Sequence, residues 1–228
     1  MRTAKTAFGT QSRKSLPFTL AGRTFFSKPL TVGEELTLSD IGDRYDLESL
    51  GGEQVAPFIR EQCGLVADLL NHRLQGEAPE RITPEWVMRH VNAGTLEALL
   101  GFLRTGERPK RSLDIVAWFD EPIMVQDRAF RATPVNFEEQ LQAGEIKADG
   151  SNREIVQSSM HYLATLLTHR AEDSQAVTAD WLTENLGVND MQELLNLLQN
   201  GPQEDEDPNA EVEPLRLVEA DGSNTSGA

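Results

Sequence analysis

The spacing of hydrophobic residues changes along the chain and predicts short hairpins followed by helices. Between Phe18 and Phe26, apolar and polar residues alternate on either side of an Ala21-Gly22 turn, which is typical of a β-hairpin. From Ile59, apolar residues recur at i, i+4, i+7 and i+11, the spacing of one face of an α-helix. This predicted core face consists of Ile59, Cys63, Val66 and Leu70.

The same succession of patterns occurs a second time, which indicates an internal repeat. The run that begins at Phe18 aligns without gaps with the run that begins at Ile123, and its predicted turn lies near Gln126-Asp127. The second helical face consists of Val156, Met160, Leu163 and Leu167. Both predicted long helices end in the pattern Leu-Leu-x-His-Arg.

A third block begins with a helix start signal in both copies. Thr83 is the predicted N-cap, with Pro84 at the first helical position, and Thr178 is the N-cap of the second copy. A final short helix follows a break at Gly94 or Gly187. Its predicted caps are Thr95 and Asp190, and its predicted ends lie just before Gly106 and Gly201.

These blocks predict an α+β fold, mainly α, with two tandem units. Each unit is a short β-hairpin followed by a small helical bundle of one longer and two shorter helices. The predicted divisions are a flexible basic arm at 1–14, a first unit at 15–106, a linker at 107–121, a second unit at 122–201, and an acidic, disordered tail at 202–228. The strand-like run Leu113–Phe119 can add a strand to the second hairpin, and the alternative is a shared sheet that fuses the units into one body.

Charge and composition narrow the class of protein. The 37 acidic and 21 basic residues leave a net charge of −16, which argues against nucleic-acid binding because phosphate binding requires a positive field. The tail holds eight acidic residues and one arginine, a net charge of −7. No apolar stretch suits a membrane span, and no secretory signal is recognised. The expected compartment is the cytoplasm.

No pattern predicts a catalytic residue, a metal ligand or a cofactor site. His72 and His169 occupy matching helix ends, where a positive charge complements the helix dipole. The lone cysteine, Cys63, occupies the apolar helical face. The adjacent carboxylates at Glu34-Glu35 and Glu138-Glu139 are predicted to lie in a solvated turn or helix start rather than in a catalytic cleft.

Tryptophans offer candidate contact positions. Trp86 and Trp181 sit at matching places in matching helices and are interpreted as core anchors. Trp118 and Phe119 lie outside the repeated core and form the candidate exposed patch, with packing between the units as the favoured alternative.

Each repeat resembles the tail assembly chaperones of long-tailed bacteriophages. The hairpin motif F-x-L-x-G-x-x-F with a following Pro-Leu is carried here by Phe18, Leu20, Gly22, Phe25, Pro29 and Leu30. The helix start I-T-x-E-W is carried by Ile82, Thr83, Glu85 and Trp86. The resemblance covers 17–106 and, less closely, 122–201, where Asp127 replaces the hairpin glycine and Ala179 replaces Pro84. Members of the family usually carry one such unit, so the tandem copy is a departure.

The resemblance implies a non-enzymatic chaperone of the host cytoplasm that is absent from the mature virion. Such a protein coats the tape measure protein and helps to recruit tail tube subunits. A duplicated chain could also internalise a dimer contact that single units make between chains, so the oligomeric state and the self-association of this chain stay open. The partner-binding candidates are Trp118, Phe119, Glu204, Asp205, Glu206 and Asp207. Two other function classes stay open, a structural virion component such as a tail or head completion protein, and an enzyme with an unrecognised site.

Overall fold

A computed structural model describes residues 15–45, 52–75, 80–110, 112–144, 146 and 151–202. The predicted basic arm at 1–14 lies outside the described residues, as does the tail beyond residue 202. The four acidic partner-binding candidates of the tail, Glu204, Asp205, Glu206 and Asp207, are therefore outside them too.

The described residues form an α+β fold that is mainly helical, which confirms the predicted fold class. The first half contains β1 (Pro17–Leu20), β2 (Arg23–Phe26), α1 (Val32–Arg44), α2 (Val55–Asn71), α3 (Pro84–His90) and α4 (Ala93–Thr105). The second half contains β3 (Ile123–Val125), β4 (Arg128–Phe130), α5 (Phe137–Gly144), α6 (Asn152–Arg170), α7 (Ala179–Asn185) and α8 (Val188–Asn200). The order of strands and helices is the same in both halves.

Both predicted hairpins are present, each as an antiparallel pair of strands. Phe18 lies opposite Phe25 in the first hairpin, and its turn places Ala21 at φ 46° and Gly22 at φ 72°. In the second hairpin Gln126 takes the corresponding left-handed conformation, at φ 55°. Two consecutive residues with positive φ give a turn whose twist matches that of paired strands, so the short Ala21-Gly22 connection suffices.

The predicted long helices and start signals are confirmed. All four residues of the first predicted face are buried, as are Met160, Leu163 and Leu167 of the second, whereas Val156 is exposed. The hydroxyls of Thr83 and Thr178 accept hydrogen bonds from the backbone N–H groups of Trp86 and Trp181. The threonine caps and, apart from Val156, the buried helical faces therefore lie at the predicted positions.

The predicted caps of the final helices are wrong by about a turn. Asn92 caps α4 by accepting from the backbone N–H of Thr95, and α8 begins after Gly187. Asp190 does contribute, but from inside α8, where its carboxylate accepts from the backbone N–H of Gly187. The predicted break at Gly94 is therefore wrong, because Gly94 lies inside α4, whereas Gly187 lies directly before α8.

A further helix, not counted in the predicted unit, follows each hairpin. Thr31 and Glu34 form a capping box before α1, with the Thr31 hydroxyl accepting from the Glu34 N–H and the Glu34 carboxylate accepting from the Thr31 N–H. Asn136 and Glu139 make the same reciprocal bonds at the start of α5. The sequence therefore specified the helix start, and tertiary packing decided that a full helix follows.

The linker adds no strand to either hairpin, so the prediction for Leu113–Phe119 is wrong. Each described sheet has two strands. Leu113 is buried in the apolar cluster of the first half, and the Asp114 carboxylate accepts from the backbone N–H of Ala21 at 2.6 Å. Trp118 donates its backbone N–H to the carbonyl of Ala132. These contacts hold the segment against both halves without the regular pairing of a strand.

Two apolar clusters form the core, and α5 joins them. One cluster lies in the first half and contains Phe25 and Val87, and the other lies in the second half and contains Phe130 and Leu182. Phe137 belongs to the first cluster although α5 belongs to the second half by sequence. Because α5 contacts α2 and α3 as well as α6, the division into units at 15–106 and 122–201 stays a prediction.

Candidate interaction surfaces

The Leu-Leu-x-His-Arg end of α2 places an arginine inside the protein. Arg73 is 2% exposed, and its guanidinium donates two hydrogen bonds of 2.9 Å to the carboxylate oxygens of Glu34 on α1. The remaining N–H groups donate to the carbonyls of Lys28, Leu69 and Pro29. The buried charge is therefore both paired and fully hydrogen-bonded, as its burial requires.

The second half of the chain builds the same site. The Arg170 guanidinium donates to the two carboxylate oxygens of Glu139 at 2.9 and 2.8 Å, and to the carbonyls of Thr133, Pro134 and Leu166. Glu139 was predicted to lie in a solvated turn or helix start, and that solvation is wrong because the helix start is covered. In both halves this ion pair fixes the helix after the hairpin to the end of the long helix.

The two carboxylates remain charged in the folded protein. Burial by itself raises the pKa of Glu34, but the hydrogen bonds and charge of Arg73, with bonds from Thr31, outweigh it and lower the pKa to about 2. Burial likewise raises the pKa of Glu139, but the hydrogen bonds and charge of Arg170 outweigh it, so the pKa of Glu139 is also lowered. A general acid needs a raised pKa, so the two pairs are suited to holding the fold rather than to proton transfer.

The histidines of the motif lie at the edge of these ion pairs. His169 Nδ1 is 3.1 Å from a Glu139 oxygen, and His72 Nδ1 is 3.7 Å from a Glu34 oxygen. Each of these histidines therefore lies beside a carboxylate as well as at the end of a helix. Among the described residues, no group of three or more histidine, cysteine or acidic side chains could hold a metal ion.

Each half also has an arginine beside a tryptophan, which is Trp86 in α3 and Trp181 in α7. The Arg128 guanidinium lies 5.1 Å from the centre of the Trp181 ring and 5.3 Å from that of Phe130, and it makes a two-point ion pair with Asp173. Arg23 lies 5.4 Å from the centre of the Trp86 ring. Both tryptophans pack against the apolar clusters, as predicted. They contribute cation–π and packing contacts rather than a free aromatic platform.

Cys63 lies in the core of the first half. Its side chain is buried among the apolar residues of α2, and burial raises the pKa of the thiol to about 12. A protonated, inaccessible thiol is a poor nucleophile and a poor metal ligand. The geometry therefore agrees with the interpretation of Cys63 as a packing residue.

The candidate patch of Trp118 and Phe119 lies where the linker meets the second half. Both side chains are partly exposed. A Cβ added to Gly201, which has a φ of 82°, would meet the Trp118 ring at 3.2 Å, so the ring lies close against the end of α8. The structure leaves the patch accessible, and its role in binding a partner stays a prediction.

Two grooves on the second half are open. One lies between α6 and α7, has a volume of about 450 Å³, and is lined by His161, Ala164, Thr165, Thr168, His169, Val177, Thr178, Ala179 and Asp180. The other, of about 400 Å³, lies between β3 and the helices α7 and α8, and includes Ile123, Met124, Val125 and Leu194. The first groove lies beside the helix that contains Trp181, and the second depends on how the hairpin packs.

One exposed apolar surface was missed entirely. Val32 and Leu36 lie on α1 and are 78% and 61% exposed. In the alignment of the two halves they match Phe137 and Leu141 of α5, which pack against the first half. The alignment matches these residues, but only the packing of α5 shows that one pair is covered and the other is exposed.

Among the described residues, no helix combines the length and the apolar character that crossing a bilayer requires. Comparison with known proteins finds no matching family model, no matching curated protein and no matching solved structure.

Proposed function

We propose that the protein is a phage tail assembly chaperone that binds helical segments of the tape measure protein and helps to recruit tail tube subunits. The observation that carries the proposal is the open groove between α6 and α7. Its lining combines the polar side chains of His161, His169 and Asp180 with smaller side chains. The smaller ones, among them Ala164, Val177 and Ala179, allow a partner helix to approach closely. The partner is named from the hairpin and helix-start motifs of the family that the sequence resembles.

The distribution of reactive groups favours a binding role over a catalytic one. Glu34 and Glu139 have lowered pKa values and are paired with Arg73 and Arg170. Cys63 is buried and protonated. These groups are used in folding, whereas the described surface carries open grooves and exposed apolar side chains such as Val32 and Met124.

Co-expression with a tape measure protein tests the proposal. The tape measure should become soluble with the wild-type chain, and Thr165→Trp should reduce the soluble yield several-fold because the indole fills the groove. Thr165 is exposed, so this change leaves the core intact. Thr165→Ser is the matched control and should behave as wild type. An equally insoluble tape measure with and without the chain would refute the chaperone role.

Mass spectrometry of purified particles tests the alternative virion role. A chaperone should be absent from particles that contain the tail tube protein, whereas a tail or head completion protein should be present at a fixed copy number. Detection at fixed copy number would replace the chaperone proposal with the structural one.

A further inference from the structure

The first hairpin has one covered edge and one open edge. On the β2 side, the Phe26 N–H donates to the carbonyl of Arg73, and the Thr24 carbonyl accepts from the N–H of Gln75. Thr24 therefore turns its backbone polar groups away from β1. Because Thr19 lies opposite Thr24 in the register, it turns its own N–H and carbonyl away from β2, toward the open edge of β1.

This open edge has room for a short added segment. At one end the Asp114 carboxylate accepts from the Ala21 N–H, and at the other the Arg108 guanidinium donates to the Pro17 carbonyl at 3.4 Å. Between them Thr19 is exposed, and no hydrogen bond among the described residues uses its outward N–H or carbonyl. Free backbone groups on a strand edge are the usual docking point for an extended peptide.

A groove of about 390 Å³ lies beside the same edge. Its lining includes Phe18 and Thr19 of β1, Phe102 of α4 and Leu113 of the linker. Phe102 and Leu113 are buried and Phe18 is half-buried, so the groove gives access to the apolar core of the first half. A segment that bonds to Thr19 would thus place its apolar side chains in this groove.

Basic side chains border the groove. Arg108 lines it, and Lys110 follows two residues later in the linker; both are exposed. Among the described residues, no acidic side chain forms an ion pair with either of them. The surface therefore suits a segment that combines apolar residues with acidic ones.

The C-terminal segment of this chain contains such a run at 212–219, Val-Glu-Pro-Leu-Arg-Leu-Val-Glu. Leu215 and Leu217 are two residues apart, the spacing of one face of a strand, and Glu213 and Glu219 flank them. The arm at 1–14 has the opposite charge, with four basic residues and no acidic one. Charge complementarity therefore favours the run at 212–219 over the arm.

The end of α8 lies close enough for this run to reach the groove. A Cβ added to Gly201 would meet the Trp118 ring at 3.2 Å, and Trp118 is five residues from Leu113 of the groove. Five residues span at most about 20 Å, whereas the thirteen residues from Pro202 to Leu215 can span about 45 Å. The connection is thus more than long enough within one molecule.

We propose that residues 212–219 dock along the open edge of β1 in the same molecule. Leu215 and Leu217 occupy the groove, the backbone of the run bonds to the N–H and carbonyl of Thr19, and the flanking glutamates face Arg108 and Lys110. The docked run covers a surface of the first half, away from the groove between α6 and α7. The proposal is therefore independent of the chaperone function.

Trypsin cleavage of the full-length chain after Arg216 tests the docking, because this peptide bond lies within the docked run. Mass spectrometry follows the release of residues 217–228. Thr19→Pro removes an N–H from the open edge without removing a bond to β2, and Arg108→Glu reverses the charge at the groove. Each change should speed the release at least about fivefold over wild type, since cleavage follows the undocked population.

Two matched variants control for general effects. Met124→Pro makes the same change at the residue of the second hairpin that aligns with Thr19, and Arg153→Glu makes the same charge change on the second half. Both should release the fragment at the wild-type rate. Arg108 is exposed, so Arg108→Glu remains a valid test if Thr19→Pro fails to fold. Equal release rates for wild type and Arg108→Glu would overturn the proposal.

Disulfide formation separates docking within one molecule from docking onto a second copy. Ser112→Cys lies in the groove lining, and Leu217→Cys lies in the run; Met124→Cys with Leu217→Cys is the control pair. Cys63 is buried and does not compete. Under mild oxidation the first pair should form an intramolecular bridge at least about tenfold faster than the control pair. Equal rates, or disulfide-linked dimers as the main product, would overturn docking within one molecule.

Discussion

The Arg170 guanidinium forms a two-point ion pair with Glu139, at 2.9 and 2.8 Å, where both side chains are nearly inaccessible to solvent. Glu139 lies on the helix that touches both halves of the chain, so the pair supports the contact between them. Removing one member of a buried pair leaves an uncompensated charge in the interior, which costs more than the pair itself contributes.

Arg170→Met should therefore lower the free energy of unfolding by about 3–5 kcal/mol, measured by urea denaturation. Arg131→Met is the control, because Arg131 makes an exposed 3.6 Å pair with Glu172 and its loss should cost less than about 1 kcal/mol. The double change Arg170→Met with Glu139→Leu should recover part of the loss, since no buried charge remains. Equal, small effects for Arg170→Met and Arg131→Met would contradict the assignment.

The lowered pKa of Glu34 predicts how the free energy of unfolding depends on pH. Its folded pKa of about 2 is below its ordinary value of 4.5, so its contribution is complete above pH 4.5 and is lost as pH falls toward 2. The free energy of unfolding should decrease through this window. Glu34→Gln should be less stable at pH 7 and should show a flatter decrease, because one carboxylate no longer takes up a proton. A variant with the wild-type slope would show that Glu34 does not carry this dependence.

Arg128 should contribute more to stability than its counterpart Arg23. It contacts two rings, pairs with Asp173 through two hydrogen bonds, and is 13% exposed against 28% for Arg23. Arg128→Ala should cost about 1–3 kcal/mol, and Arg23→Ala should cost less. Thermal unfolding of the two variants side by side measures the difference, and a larger loss for Arg23→Ala would reverse the expected order.

Cys63 should be unreactive in the folded protein. Its thiol is buried and its pKa is raised to about 12, so the thiolate is scarce and the sulfur is inaccessible. A thiol reagent at pH 8 should react more than about a hundredfold more slowly with native protein than with protein in denaturant. Comparable rates in the two states would place Cys63 at the surface.

The sequence was most informative where structure depends on near neighbours. Thr83 and Thr178 cap their helices as predicted because a hydroxyl three residues before a backbone N–H needs no distant partner. The periodicity at Cys63 identified a buried helical face for the same reason. The linker prediction failed because Leu113 is held by the core of the first half, a contact that no local pattern contains.

The burial of the candidate site residues and the positions of the grooves could not be predicted from near neighbours in the sequence. Glu139 looked like an exposed helix-start residue, and only the approach of α2, α3 and α6 around α5 makes it buried. The grooves beside α6 and β3 are likewise spaces between elements, so they exist only once those elements are packed.

The sequence by itself determined the fold class, the two hairpins, the threonine-capped starts of α3 and α7 and the matched positions of its two similar runs, since each depends on spacing or on bonds between residues a few positions apart. The tertiary structure decided which matched residues are equivalent in environment. Val32 and Phe137 occupy the same position in their repeats, yet one is exposed and the other is in the core. The physical reason is that burial depends on what packs against a residue, and within one chain only α5 has a preceding half to pack against.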